Sequence, residues 1–187
     1  MTDLDFIQEC TRNKRELTEE RINYLTSDSK LKGYIGPRQC GKTYLLYQDL
    51  ICNAFNSPGN YLVISPNYPT LRTIQEYIKK CLDDFMLKFD PVAVFPGHTI
   101  KKIPNGSTIT FISNANVNEH FLLGRTYKAV YIDEPRFVND ILDLIELLRP
   151  IVASESGYVS VFGTINEEFV SLLEDIGFDL TRSIEVI

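Results

Sequence analysis

The chain has 187 residues, the size of a single domain or of one domain with a small appendage. Its 44% hydrophobic and 24% charged residues exclude a disordered, collagen-like or low-complexity chain, and its net charge of −6 excludes a general polyanion binder. The first ten residues are acidic, and no apolar run approaches about 18 residues, so we expect neither a signal peptide nor a membrane span. Four scattered cysteines and two histidines suggest no zinc site, and a cytoplasmic location is expected.

The first part of the chain alternates between helical and strand patterns. The predicted elements are, in order, a helix at 15–27, a strand at 31–35, a helix at 42–55, a strand at 61–65 and a helix at 70–88. The last of these is amphipathic, with one apolar face formed by Leu71, Ile74, Ile78, Leu82 and Phe85. We interpret residues 1–30 as an N-terminal helical flank of a domain that spans 31–187.

A hairpin signal interrupts this alternation. Short β-like runs within 92–112 flank Pro104-Asn105-Gly106, and Asn-Gly between such runs predicts an antiparallel hairpin, inserted in the sheet or at its edge. The later predicted elements are a strand at 107–113, a strand at 128–132, a helix at 138–148 ended by Pro150, a strand at 158–163, a helix at 167–176 and a last strand at 182–187. Strands alternating with helices indicate an α/β fold with a mostly parallel sheet flanked by helices.

Residues 36–43 match the P-loop pattern G-x-x-x-x-G-K-[ST] in full. The motif consists of Gly36, Pro37, Arg38, Gln39, Cys40, Gly41, Lys42 and Thr43. Glycines let backbone N–H groups turn towards phosphate oxygens, and the following helix directs its positive N-terminus at them. Lys42 is expected to reach the β- and γ-phosphates of a nucleotide, and Thr43 to offer its hydroxyl to Mg²⁺.

A hydrophobic strand at 128–132 leads into Asp133 and Glu134. This arrangement is typical of a Walker B strand, whose aspartate contributes to the Mg²⁺ site. The following carboxylate, Glu134, is placed to polarise a water molecule for attack on the γ-phosphate. Hydrolysing NTPases need such a group and kinases do not, so the pair favours hydrolysis. The alternative interpretation is a strand end whose acidic side chains only face solvent.

Four further polar residues are candidates for a functional role, and each also has a purely structural interpretation. Thr164, after the strand at 158–163, is the better γ-phosphate sensor, and Asn166 is the better N-cap for the helix at 167–176. Arg38 lies inside the phosphate loop and is a candidate γ-phosphate contact. Arg125, nine residues before Glu134, is a candidate arginine finger, for its own site or for a neighbouring subunit. Ordinary surface or ion-paired arginines are the alternative for both.

The ordered set of motifs resembles that of phage terminase large subunits, the viral DNA-packaging ATPases. Residues 36–43 are similar to the arginine-containing Walker A of that family, and 104–111 (PNGSTITF) to its "NGS-x-I-x-F" strand. Residues 121–124 (FLLG) resemble the family's "LRG" element, and 131–134 (YIDE) its Walker B with the catalytic glutamate. Gly163-Thr164 falls where the family has its coupling motif, so the resemblance spans about 31–166.

This resemblance implies a P-loop NTPase fold of the additional-strand catalytic-glutamate type. It implies an Mg²⁺-dependent ATPase that assembles as a homo-oligomeric ring at a portal protein and moves double-stranded DNA into a capsid, in the host cytoplasm and without a membrane. Lys42 and Thr43 would bind phosphate and Mg²⁺, Asp133 would complete the metal site, Glu134 would activate water and Arg38 would sense phosphate. The family also has a C-terminal nuclease domain, and we expect none within these residues.

Three other classes share part of this pattern. A helicase-like or other DNA-remodelling ATPase has the same Walker residues, with a second motor domain or a ring. A small P-loop kinase is disfavoured by Glu134 and by the lack of an arginine-rich lid. A non-catalytic nucleotide-binding scaffold is disfavoured by the intact Lys42, Thr43 and Asp133.

Overall fold

The computed structural model describes residues 18–84, 87, 89–122, 124–138 and 140–183. Its helices are α1 (Glu19–Thr26), α2 (Lys42–Asn56), α3 (Tyr68–Asp84), α4 (Glu119–Leu122), α5 (Ile141–Ala153) and α6 (Glu167–Asp175). Its strands are β1 (Leu31–Gly36), β2 (Asn60–Ser65), β3 (Asp90–Phe95), β4 (His98–Lys102), β5 (Thr108–Ser113), β6 (Ala129–Asp133), β7 (Tyr158–Thr164) and β8 (Asp179–Arg182). Short 3₁₀ turns cover Asn114–Asn116 and Pro135–Phe137.

The eight strands form one sheet in the order β3-β4-β5-β2-β6-β7-β1-β8. All neighbours from β5 to β8 in this order run parallel, whereas β3 and β4 are antiparallel and extend one edge. The antiparallel hairpin predicted around Asn105-Gly106 joins β4 to β5 and is confirmed. Strand β7 lies between β1, which leads into the phosphate-loop motif, and β6, which ends at Asp133. This inserted strand confirms the additional-strand fold class expected from the sequence.

Helices cover both faces of the sheet because successive residues of each buried strand point to opposite sides. On one face, α1, α2 and α3 pack on side chains such as Tyr34 and Tyr131. On the other face, α5 and α6 pack on side chains such as Ile35 and Ile132. The apolar face predicted for α3 is fully buried at Leu71, Ile74, Ile78 and Leu82, and Phe85 lies outside the described residues.

Pro150 does not end the fourth predicted helix, as the sequence had led us to expect. Helix α5 begins at Ile141 and continues through Pro150 to Ala153. A proline inside a helix costs about 3 kcal/mol because it has no N–H to donate. Leu148 and Val152, on either side of it, are 0% and 4% exposed, and burying each such side chain contributes about 1.5–3 kcal/mol. Packing against the sheet therefore outweighs the local cost.

The last strand also differs from its predicted position. The sequence placed it at 182–187, but β8 covers Asp179–Arg182 and pairs in parallel with β1. Residues 184–187 lie outside the described part of the chain. The strand escaped detection because it is an edge strand whose side chains are half-buried or exposed, so it lacks a clear apolar alternation. Among the described helices, none has the length and apolar character that crossing a bilayer requires.

Candidate functional site

The carboxyl ends of the central parallel strands carry the candidate site. Strand β1 ends at Gly36, β6 at Asp133 and β7 at Thr164, so the three predicted motifs meet at one edge of the sheet. Two backbone hydrogen bonds fix this junction, from Ile165 N to Gly36 O at 3.2 Å and from Glu134 N to Phe162 O at 2.7 Å. Open α/β sheets bind ligands at this edge, beyond their strand ends.

The loop between β1 and α2 has the backbone of an anion-binding nest. Gln39 and Gly41 adopt left-handed conformations with φ of 67° and 87°, alternating with other conformations along the loop. Such alternation turns successive N–H groups towards one concave side. Gly36 is required by close packing, because a Cβ there would lie 2.5 Å from the Sγ of Cys40. This backbone can present several of its N–H groups to a single anion.

Lys42 is folded back onto this loop. Its Nζ donates to the carbonyl oxygen of Pro37 at 2.7 Å and to that of Gly36 at 3.3 Å, and the residue is 7% exposed. Thr43 is half-buried in the first turn of α2, whereas Arg38 and Gln39 are exposed. An ammonium held by neutral carbonyls inside the loop can exchange these acceptors for phosphate oxygens, which bind it more strongly.

Asp133 is buried at the end of β6, with 2% of its surface exposed. Burial, together with the adjacent charge of Glu134, raises the pKa of Asp133 to about 7, against the opposing effects of a Ser65 hydrogen bond and the Lys42 charge. The Ser65 hydroxyl donates to Oδ2 over 3.4 Å. A buried carboxylate that is costly to ionise alone, near the buried ammonium of Lys42, fits a divalent cation held by hard oxygen donors. Asp133 and the Thr43 hydroxyl are such donors.

Glu134 is held by Thr164 and by its own backbone conformation. The Thr164 hydroxyl donates to Oε1 at 2.8 Å, and the Thr164 N–H donates to Oε2 at 3.1 Å. Glu134 has φ 46° and ψ 61°, a left-handed conformation that is uncommon for a residue other than glycine. Glu134 is half-buried. The two hydrogen bonds direct its carboxylate towards the end of β7 and restrict its rotation.

Thr164 and Asn166, which shared one sequence signal, have separate roles. Thr164 binds the Glu134 carboxylate as described, whereas the Asn166 side chain accepts a hydrogen bond from Phe169 N at 2.9 Å. That bond is the N-cap of α6. Thr164 therefore belongs to the site, and Asn166 stabilises the helix that follows it.

Sequence reasoning missed two residues of the site. The guanidinium of Arg136 lies against the Phe137 ring, and its Nε is 3.6 Å from Oε2 of Glu134. No motif signalled this arginine. Ser65, which contacts Asp133, did have a signal, because it is a polar residue at the carboxyl end of the buried strand β2.

Arg125 lies apart from the phosphate loop of its own chain. Its guanidinium is 4.4 Å from the ring centroid of Phe121, and that ring packs edge-on against His98 of β4 at 5.0 Å. In the sheet order, β4 is three strands from β6 and five from β1. At about 4.8 Å per strand, these separations are about 14 Å and 24 Å. The fold brings Lys42, Asp133, Glu134 and Thr164 together and leaves Arg125 on the β3–β5 side of the sheet.

Comparison with known proteins finds one matching family model and several solved structures of similar fold. The family model described as "Terminase large subunit, T4likevirus-type, N-terminal" matches residues 34–170. The large terminase of a thermophilic bacteriophage has a similar structure, with a TM-score of 0.68 and 12% identity over 90% of this chain and 46% of that one. This chain thus spans about half the length of that thermophilic-phage protein. No curated protein matches it at the level of sequence.

Two isolated domains are also similar in structure. The large terminase ATPase domain of Thermus phage P74-26 has a TM-score of 0.63 and 16% identity, over 85% of this chain and 68% of that one. The N-terminal domain of the DNA packaging ATPase from bacteriophage phi29 has a TM-score of 0.62 and 14% identity, over 91% of this chain and 97% of that one. At such low identity these likenesses describe the fold.

Proposed function

This chain belongs to the terminase large subunit family of the T4-like type, in its N-terminal part, and on that premise we propose that it is the ATP-hydrolysing motor domain of a DNA-packaging machine. The observation that carries the proposal is the meeting of Lys42, Asp133, Glu134 and Thr164 at one edge of the sheet. Among its structural neighbours, the large terminase of the thermophilic bacteriophage has been solved in complex with ADP and with ATP-gamma-S. We infer the same class of ligand here.

The residues of the loop bind the phosphates. The backbone N–H groups of 38–43 surround the β-phosphate, and the N-terminus of α2 adds its positive dipole. Lys42 leaves the carbonyls of Gly36 and Pro37 for the β- and γ-phosphate oxygens. Arg38 is exposed on the same loop and is free to turn towards the γ-phosphate.

Thr43 and Asp133 would hold Mg²⁺ in this proposal, and the cation would supply positive charge beside the nucleotide phosphates. Burial raises the pKa of Asp133 to about 7, so a cation held there would favour its ionised form. Ser65, at the end of β2, orients the carboxylate through its hydroxyl.

Glu134 acts as the general base for the attacking water. Thr164 fixes the carboxylate through both oxygens, so the base has one orientation relative to the phosphate loop. The water attacks the γ-phosphate in line and gives up a proton towards Glu134, and ADP is the leaving group. A kinase excludes this water, and the presence of the positioned carboxylate favours hydrolysis over transfer to another substrate.

The test is nucleotide binding and steady-state ATP hydrolysis in the wild type, Lys42→Ala and Glu134→Gln. Lys42→Ala should lose nucleotide affinity, since it removes the main cationic contact, while Glu134→Gln should bind ATP normally and hydrolyse it at least about 100-fold more slowly. Glu155→Gln, an exposed residue paired with Lys128, is the matched control and should be unchanged. Wild-type turnover by Glu134→Gln would place the base elsewhere, and unchanged affinity in Lys42→Ala would remove the phosphate site.

The motor role adds double-stranded DNA, a ring of identical subunits and a portal protein as partners. With a net charge of −6, the chain would contact DNA through localised groups, and a ring would gather several such contacts around one duplex. ATPase rate per subunit should then rise with protein concentration and with added double-stranded DNA. A rate indifferent to both would leave a P-loop hydrolase without evidence of a motor.

A further inference from the structure

Helix α1 reaches the phosphate loop through a buried arginine. Arg21 is 1% exposed, and its Nη2 donates to the carbonyl oxygen of Cys40 at 3.0 Å. Cys40, also 1% exposed, immediately precedes Gly41 and Lys42 in the loop. The contact joins positions 19 residues apart, and no sequence motif links them.

Among the described residues, the polar contacts of this arginine are concentrated on the loop. Within the described part of the chain, its Nε and Nη1 are buried without a hydrogen-bond partner. Its hydrogen bond to a described residue is the one to the Cys40 carbonyl, so within the described part of the chain the phosphate loop is where this guanidinium is anchored. The helix already has another anchor, since Tyr24 is fully buried and its hydroxyl contacts Asp49 and Ser160.

The geometry of the peptide group gives the contact a consequence for the loop. All peptide bonds of the described residues are trans, so the Cys40 C=O and the Gly41 N–H, which share one planar group, point in opposite directions. Arg21 holds the carbonyl on the α1 side. The Gly41 N–H is therefore turned to the other side, and the left-handed Gly41, at φ 87°, leads directly into α2.

We propose that Arg21 is a positioning residue that fixes the Cys40–Gly41 peptide so that the Gly41 N–H is directed at a nucleotide phosphate. This rests on the proposed nucleotide-binding function of the loop. Without the guanidinium, the peptide is free to rotate, because glycine tolerates many conformations and the carbonyl has lost its donor. Nucleotide binding would then include the entropic cost of ordering the loop, and the affinity for a nucleoside diphosphate would fall.

The experiment is a fluorescence titration of the full chain with N-methylanthraniloyl-ADP and Mg²⁺, for the wild type, Arg21→Met, Arg21→Lys and Tyr24→Phe. Arg21→Met keeps the alkyl stem without donors and should raise Kd roughly tenfold, the order expected when one oriented hydrogen bond to a charged group is lost. Arg21→Lys, with one donor in reach of the carbonyl, should fall between wild type and Arg21→Met. Tyr24→Phe destabilises the same helix without touching the loop and should change Kd less than twofold.

The thermal midpoint of each variant, measured in parallel, separates positioning from stability. The proposal is overturned if Arg21→Met binds within twofold of wild type, or if Tyr24→Phe weakens binding as much as Arg21→Met does. If Arg21→Met does not fold, Arg21→Lys is compared with Tyr24→Phe by the same criteria. If the wild type does not bind the nucleotide, the proposed nucleotide site itself is wrong. If the wild type and the Arg21 variants bind it equally well, only the role of Arg21 is wrong.

Discussion

Thr164 holds both carboxylate oxygens of Glu134, one through its hydroxyl at 2.8 Å and the other through its backbone N–H at 3.1 Å. The two residues are 30 positions apart in the chain, but Glu134 directly follows β6 and Thr164 ends its parallel neighbour β7. The proposed base is therefore oriented by the strand inserted between the two Walker motifs. A shift of β7 would move both donors and so reorient the carboxylate.

We expect Thr164→Val to lower kcat for ATP about tenfold and to leave nucleotide Kd within twofold. Valine has the shape of threonine without the hydroxyl donor, so the carboxylate loses one of two orienting bonds, an effect of about 1–1.5 kcal/mol. Single-turnover hydrolysis and calorimetric titration measure the two quantities. Asn166→Ala is the control, since it removes only the α6 cap and should lower the thermal midpoint without changing kcat. Equal kcat values for Thr164→Val and wild type would contradict the assigned role.

Asp133 should make the nucleotide-free protein less stable as pH rises. Burial raises the pKa of this carboxyl from 3.8 to about 7, so the folded protein binds the proton more tightly than the unfolded chain does. The stability that this group contributes is therefore complete below about pH 4 and is lost as pH rises to about 7. Asp133→Asn does not titrate, and its thermal midpoint should exceed that of wild type by several degrees at pH 8 and by much less at pH 5.

This comparison is made by thermal unfolding in EDTA, without nucleotide, across pH 5–8. Glu155→Gln, a change at an exposed carboxyl, is the matched control and should follow the wild type at every pH. A constant difference between Asp133→Asn and wild type across this range would show that the pKa of Asp133 is not raised.

Arg125 is expected to act on a neighbouring subunit, since its place beside β4 is remote from the phosphate loop of its own chain. Arg125→Ala and Glu134→Gln should each have little ATPase activity alone. A mixture of the two variants should recover part of the ATPase activity. At some interfaces the Glu134→Gln subunit supplies an intact Arg125 to an Arg125→Ala subunit that retains Glu134, so the shared site has both groups. Arg72→Ala, a change at an exposed arginine, should behave as wild type. No recovery on mixing would argue against a shared site.

Pro150→Ala should stabilise the fold. The proline lies on the exposed side within α5, where it lacks the N–H that would complete the helical hydrogen bonding. We expect a gain of about 1–3 kcal/mol in the free energy of unfolding, measured by urea denaturation. Pro58→Ala is the contrasting change, because Pro58 lies in the loop after α2 and its loss should give no gain. A neutral or negative effect at 150 would mean that the helix relies on the proline.

The sequence by itself determined the parts of the site that are local. The eight residues of 36–43 specify the phosphate loop, because glycine spacing and the following helix fix its backbone without distant contacts. Buried strands followed by Asp133-Glu134 and by Thr164 were visible as apolar runs ending in polar residues. The alternation of these runs with helices then gave the parallel α/β class.

Only the tertiary structure decided which of these parts meet. The order of strands in the sheet differs from their order in the chain. The pairing of Glu134 with Thr164 follows from β7 lying beside β6, and the distance of Arg125 from the phosphate loop follows from its place beside β4, several strands from β1. Arg21 and Ser65 reach the site from elements distant in the chain from the residues they contact. Pro150 shows the same limit, because a local helix breaker is tolerated where burial of Leu148 and Val152 outweighs its cost. Contacts between distant segments depend on packing energies summed over the whole core, and a local pattern contains only the part contributed by its own residues.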